Sequence, residues 1–304
     1  MINRVLIRLK VIQIVYACNS SAESDAWAER ELSKSLDSAF SLYNNLLHLF
    51  AEVYDYSRLV VSKKSQYFPE NLHLSEKKFS ENRLLAQLSE NRTLKEYMES
   101  EHTGWMHDSG LVKYLYNQIL ESEALLDYAE DGVFDYEADR ALCRKLYKTV
   151  FTDNEELDST LEEQNLYWNG DKDLVDSFIV KTLKTFREEN GAEQPLQPEY
   201  EDPADREFAW KLLKATLEGA EGYRSLIAAN TRNWEAGRMA LMDTVILTVG
   251  LAEITRFSDI PLKVSINEYV EASKFYSTPN SSGFVNGMLD TISKKLVAEG
   301  RLDK

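Results

Sequence analysis

Residues 24–62 carry one continuous apolar stripe at helical spacing: Trp27, Leu32, Leu36, Leu42, Leu46, Leu49 and Val53. Ser24 or Asp25 stands where a cap would start that helix. A helix this long must be covered along one face, and strand-like alternation that could supply a sheet is scarce elsewhere in the chain. Only 12 Gly and 6 Pro in 304 residues argue against a β-sandwich or a disordered chain. With 43% hydrophobic residues a substantial core can be buried. The pattern therefore predicts an all-α fold of packed helical hairpins.

Around that helix the periodicity predicts a first helix over 3–17, ended by Asn19-Ser20-Ser21. Residues 63–82 read as polar chain interrupted by Pro69. Two helical stretches follow between 84 and 130, separated near Thr103-Gly104-Trp105, then helices over 136–151, 157–167 and 174–186. Gly191, Pro195, Pro198 and Pro203 among acids mark 188–204 as a linker. Helices return over 205–219, 221–231, 235–256, 263–275 and 283–298.

Charge is unevenly spread. Residues 1–17 hold Arg4, Arg8 and Lys10 and no acid. Residues 205–304 hold 13 basic and 13 acidic side chains, so 18–204 carry −19 within a net charge of −16. At a Debye length of roughly 8 Å, distant acids do not cancel a local basic patch. The acidic balance alone argues against nucleic acid; its distribution leaves both ends open to it.

Other classes find little support. Cys18 and Cys143 form no CxxC pair, which suits a reducing cytoplasm and gives no zinc or disulfide framework. No run approaches a membrane span. The apolar run Val11–Ala17 is short and contains Gln13, and Tyr16 is too large for a signal cleavage site. His48, His73, His102 and His107 match no metal or nucleophile motif, and no glycine-rich phosphate loop is present. No enzyme activity, cofactor or metal is expected.

The chain also echoes itself. Asp139-Arg140 through Lys148 matches Asp205-Arg206 through Lys214 at an offset of 66, and the same offset pairs Trp168 with Trp234. One further residue of shift aligns Asp176–Ile179 with Asp243–Ile246. A degenerate duplication of structural character is expected.

The most specific motifs lie near the end: Pro261, Val264, Ile266-Asn267-Glu268, Glu271 and Lys274, then Phe284-Val285-Asn286-Gly287-Met288-Leu289-Asp290. Asn233-Trp234, Arg238, Met242-Asp243, Ile246-Leu247 and Ala252-Glu253 precede them at matching spacing. This block resembles the NusB family of bacterial transcription antitermination factors, and the first helix, with Arg4, Arg8, Gln13 and Tyr16, is similar to the family's opening helix. The long form with a central insertion is like NusB proteins of the Bacteroidetes. The resemblance implies NusB-like helical bundles at 1–62 and 201–304, with an acidic helical insertion at 63–200 that contains the internal repeat.

It also implies binding of single-stranded boxA-type RNA, with NusE, a ribosomal small-subunit protein, in an RNA polymerase elongation complex. Arg4 and Arg8, four apart on one helix face, would grip phosphates. Tyr16, Phe275, Asn280, Ser281 and Phe284 would line the RNA surface, and Asp243 would face the protein partner. The sequence departs from the family where Val5 and Leu6 replace further arginines, Asn280 replaces an acid and Gly283 a basic residue. Read physically, Pro261 sets the entry to a helix whose first turn holds Asn267 and Glu268, Ile266, Val270 and Phe275 can face the core, and Gly287 permits a close helix approach. A protein-interaction scaffold without RNA binding, and the RNA-binding domain of a methyltransferase, are the competing readings.

Overall fold

The computed structural model describes residues 1–21, 23–101, 109–168, 170–231, 240–278 and 280–303. His102, Thr103–Trp105, His107, Asn233-Trp234 and Arg238 lie outside them. The described residues are helical, apart from turns and one isolated parallel bridge between Ile2 and Tyr200. They divide into two compact units: Ile2–Leu36 with Tyr200–Lys304, and Asp37–Glu199 with Met1.

The first unit is built from α1 (Arg4–Ser21), the start of α2 (Asp25–Tyr67), α11 (Pro203–Asn230), α12 (Leu241–Arg256), α13 (Leu262–Tyr276) and α14 (Ser281–Ala298). Its centre is α12, where every residue from Val245 to Ile254 is buried. A helix apolar on all sides belongs in the middle of a bundle, and α12 packs against α1, α11, α13 and α14. Gly250 leaves room for side chains of α13 and α14 against α12. A Cβ there would meet the Tyr269 ring at 3.2 Å and Leu289 at 3.3 Å.

The second unit holds the rest of α2 and α3 (Leu74–Ser80), α4 (Arg83–Ser89), α5 (Arg92–Glu101), α6 (Ser109–Glu121), α7 (Glu123–Glu130), α8 (Tyr136–Leu146), α9 (Glu155–Gln164) and α10 (Lys172–Thr185). Phe50 of α2 meets Tyr147 and Phe151 edge-on at 5.9 and 5.0 Å between ring centres. The Tyr43 hydroxyl lies 2.8 Å from Thr182 Oγ1, and burial pushes its pKa up to about 12.

Several boundaries differ from expectation for identifiable reasons. α2 runs on to Tyr67, and 74–80 is helical because the Glu76 side chain returns to the His73 N–H. Side chains of Asn82 and Asn91 cap two short helices where one was expected. Residues 203–230 form one helix through Gly219 and Gly222. The stretch 188–204 is no free linker: Gln87 donates to the Arg187 and Gly191 carbonyls, Asn91 to that of Gln194, and Gln194 is itself buried. The two units divide at Leu36–Asp37, inside α2, where a boundary at 62 was expected.

The internal echo has a three-dimensional counterpart. Asn3 caps α1 by accepting from Leu6 N–H, and Arg4, the first helical residue, pairs with buried Asp205 at 3.1 Å. Asn82 caps α4 by accepting from Leu85 N–H, and Arg83, its first residue, pairs with buried Asp139 at 2.9 Å. Asp139 and Asp205 are the two aligned aspartates of the repeat. Each unit therefore carries the same capped-helix clamp.

Candidate nucleic-acid interface

Twelve residues separate Arg4 from Tyr16 on α1, about 18 Å along the axis at 1.5 Å per residue. The arginine end and the aromatic end of the expected surface are thus well separated.

At the arginine end, Arg4 remains 37% exposed, with its guanidinium carbon 4.9 Å from the Phe208 ring centre and Asp259 3.9 Å away. Arg8 is different. It is only 4% exposed, and two of its nitrogens reach Glu253 at 2.7 and 3.0 Å, with Glu268 at 3.4 Å. The Tyr269 hydroxyl donates to the same Glu253 carboxylate at 3.0 Å. Burial alone would lower the Arg8 pKa, but the hydrogen-bonded Glu253 outweighs it and the net shift is upward. Burial, reinforced by Glu253, pushes Tyr269 well up. This two-pronged arrangement is the geometry that arginine and carboxylate favour. It commits Arg8 to the interior, where its charge is not offered to a phosphate.

The sequence reading missed Glu253 and Tyr269 as its partners. The available signal was an acid inside the apolar run Val245–Ile254, which cannot be buried without a cation or donor.

At the other end, Gln13 donates to the Tyr276 hydroxyl at 2.8 Å and so links α1 to the last residue of α13. Tyr16, one turn further on that face of α1, is exposed. Phe275 is 70% exposed, which excludes the core placement that the helical pattern allowed. Asn280 is exposed before α14, and Phe284 is half-buried in that helix's first turn.

Asp243 holds this end together. It is buried, and its carboxylate accepts from Ser277 Oγ at 2.6 Å and from Ser281 Oγ at 3.1 Å. The two serine hydroxyls are 2.9 Å apart. Ser281 is likewise buried, so it shapes the loop while its neighbours are presented. The carboxylate expected to meet a protein partner is turned inward instead.

Among the remaining motif residues, Asn267 and Glu268 fall in the second turn of α13, because the helix already begins at Leu262. Ile266 is buried, whereas Asn267, Asn286 and Gly287 are exposed. A Cβ on Gly287 would meet nothing within 4 Å, so the close approach expected there belongs to Gly250. Among the described residues no group of three His, Cys, Asp or Glu is placed to hold a metal, and no helix is long and apolar enough to cross a membrane.

The NusB family profile matches residues 172–294. The transcription antitermination protein NusB of Salinibacter ruber is 39% identical over 132 residues, 41% of this chain and 82% of that protein. The protein of that name from Geobacter sulfurreducens is 39% identical over 32% of this chain and 70% of its own length. The one from Chloroherpeton thalassium is 37% identical over 33% of this chain and 47% of its length. A solved structure of T. maritima NusB shares 29% identity, covers 41% of this chain and 87% of that one, and gives a TM-score of 0.31.

Proposed function

The chain belongs to the NusB family, and we propose on that footing that it is an RNA-binding transcription antitermination factor. Its RNA is a single strand of boxA type, its protein partner is NusE, and the pair joins a transcription elongation complex. No reaction is involved. The observation that carries the RNA reading is Phe275, an aromatic ring 70% open to water beside a loop whose shape is fixed from below. Unpaired bases stack on such rings, each stack contributing about 1–3 kcal/mol.

Within this reading the residues divide by geometry. Phe275, Tyr16 and Phe284 supply ring faces, and Asn280 a polar edge. Asp243 and Ser281 act through the loop they hold. Arg4 is the half-exposed cation of the pair, while Arg8 braces the bundle through Glu253.

The test is fluorescence-anisotropy titration of a labelled boxA RNA, with and without NusE. Phe275→Ala is expected to weaken binding at least about fivefold, from one lost stack. Arg4→Ala should flatten the salt dependence by about 0.7 of a log unit per log unit of salt. Wild-type affinity in Phe275→Ala sinks the assignment of the surface.

A second reading is favoured by two observations. Arg8 is withdrawn from solvent, and the unit Asp37–Glu199 with Met1 carries 17 basic and 32 acidic side chains, a net −15. A chain of this kind can serve as a NusB-shaped scaffold for basic proteins. Tight NusE binding with no RNA contribution at low salt would select it.

A further inference from the structure

The end of α2 and the start of α3 stand apart from the acidic unit they belong to. Residues 58–78 hold Arg58, Lys63, Lys64, Lys77 and Lys78 against Glu70 and Glu76, a local +3 inside a unit of −15, with Glu81 at the end of α3 within 4.0 Å of Lys77 and Lys78. Leu59, Tyr67, Phe68 and Leu74 lie in the same segment and are all more than half exposed, Tyr67 at 64% and Phe68 at 56%. Leu59, Lys63 and Tyr67 are four apart and share one face of α2.

The segment is held as one surface. Lys64 Nζ meets Glu76 Oε1 at 2.5 Å and ties α2 to α3, and Phe68 N–H donates to the Lys64 carbonyl at 2.8 Å. Lysines near a helix C-terminus are explained by the helix dipole. Two adjacent aromatic rings left in water are not, and exposed apolar residues clustered in one patch mark a contact site.

We propose that this end of the unit is a second contact for single-stranded RNA. Tyr67 and Phe68 stack on bases, and exposed Lys63 sits beside the phosphates, while Lys77, also exposed, is shared with Glu81 at 3.9 Å. Sequence-tolerant strand binding uses this combination of ring faces and flexible cations. Local positive charge against a polyanion decides for RNA over a basic protein, which the rest of the unit would attract instead. The choice of RNA rests on the proposed function; the surface itself shares no residue with the one around Phe275.

The experiment uses the full chain and a single-stranded RNA carrying 4-thiouridine, photo-cross-linked, digested with trypsin and mapped by mass spectrometry. Anisotropy with the same RNA is measured for Tyr67→Ala/Phe68→Ala, alone and combined with Phe275→Ala. Cross-links within residues 65–77, with at least about a fivefold loss of affinity in the double variant, are the expected result. Because both rings are exposed, an unchanged far-UV circular dichroism spectrum is expected to accompany that loss. Cross-links confined to the Phe275 region, with wild-type affinity in Tyr67→Ala/Phe68→Ala, overturn this inference and leave the proposed function standing. That outcome assigns the patch to a protein occupant. Absence of any RNA binding by the wild type overturns both.

Discussion

Arg8 and Glu253 lie 245 positions apart in sequence and touch through two hydrogen bonds inside the bundle. Each ion is tolerable there only because of the other, and Tyr269 takes up a remaining lone pair of the carboxylate. Arg8→Ala is therefore expected to cost about 3–5 kcal/mol, since it strands a buried carboxylate. Urea denaturation measures this, and Arg8→Met combined with Glu253→Leu should recover much of the loss. A single-variant cost below about 1 kcal/mol would show that the pair is not closed in solution. The sequence could not separate this arginine from Arg4, because spacing places both on one face and says nothing of what lies opposite. Asp243 was equally opaque: an acid in the first turn of a helix suits the dipole whether it faces water, a partner or two serines.

Among the elements, Gly250 of α12 and Gly287 of α14 have opposite environments. At Gly250 a methyl group would press on the Tyr269 ring and Leu289, both held in the core. Overpacking of that kind costs about 1–3 kcal/mol, against a helix-propensity gain of about 1 kcal/mol. At Gly287 nothing stands within 4 Å, so only the gain remains. Thermal unfolding should accordingly show a lower midpoint for Gly250→Ala and a higher one for Gly287→Ala. A shift of the same sign in both would contradict the packing. Helix existence was legible in these elements because the apolar period is strong, as in α2 and α12. Helix ends were less so, since Glu76, Asn82 and Asn91 set them through side-chain bonds that composition does not announce. The helical period alone left Phe275 open to core or water for a related reason: it lies one residue from the end of α13, where the period no longer dictates a face.

At the scale of the whole molecule, one unit is continuous in sequence apart from Met1, and the other is assembled from two distant segments. The matching clamps show the difference in reach: Arg83 finds Asp139 after 56 residues, and Arg4 finds Asp205 after 201. Loop closure is entropically dearer, and folding slower, for the longer span. Pulse-labelled hydrogen exchange during refolding should find the amides of α4, α8 and α10 protected before those of α1. Simultaneous protection would mean that the two units do not fold in sequence. The repeat itself was visible in the aligned aspartates, while the arginines that pair with them were not, because they sit outside the repeated stretch.

The distance between Arg4 and Asp205 also sets a schedule on the ribosome. At roughly 5–20 residues per second, Arg4 is made about 10–40 seconds before its aspartate. During that interval α11 and α12, which pack on α1, are not yet made, while Asp139 arrives first with a clamp of the same design. In the folded chain Arg83 occupies that aspartate at 2.9 Å, which leaves it closed to any other arginine.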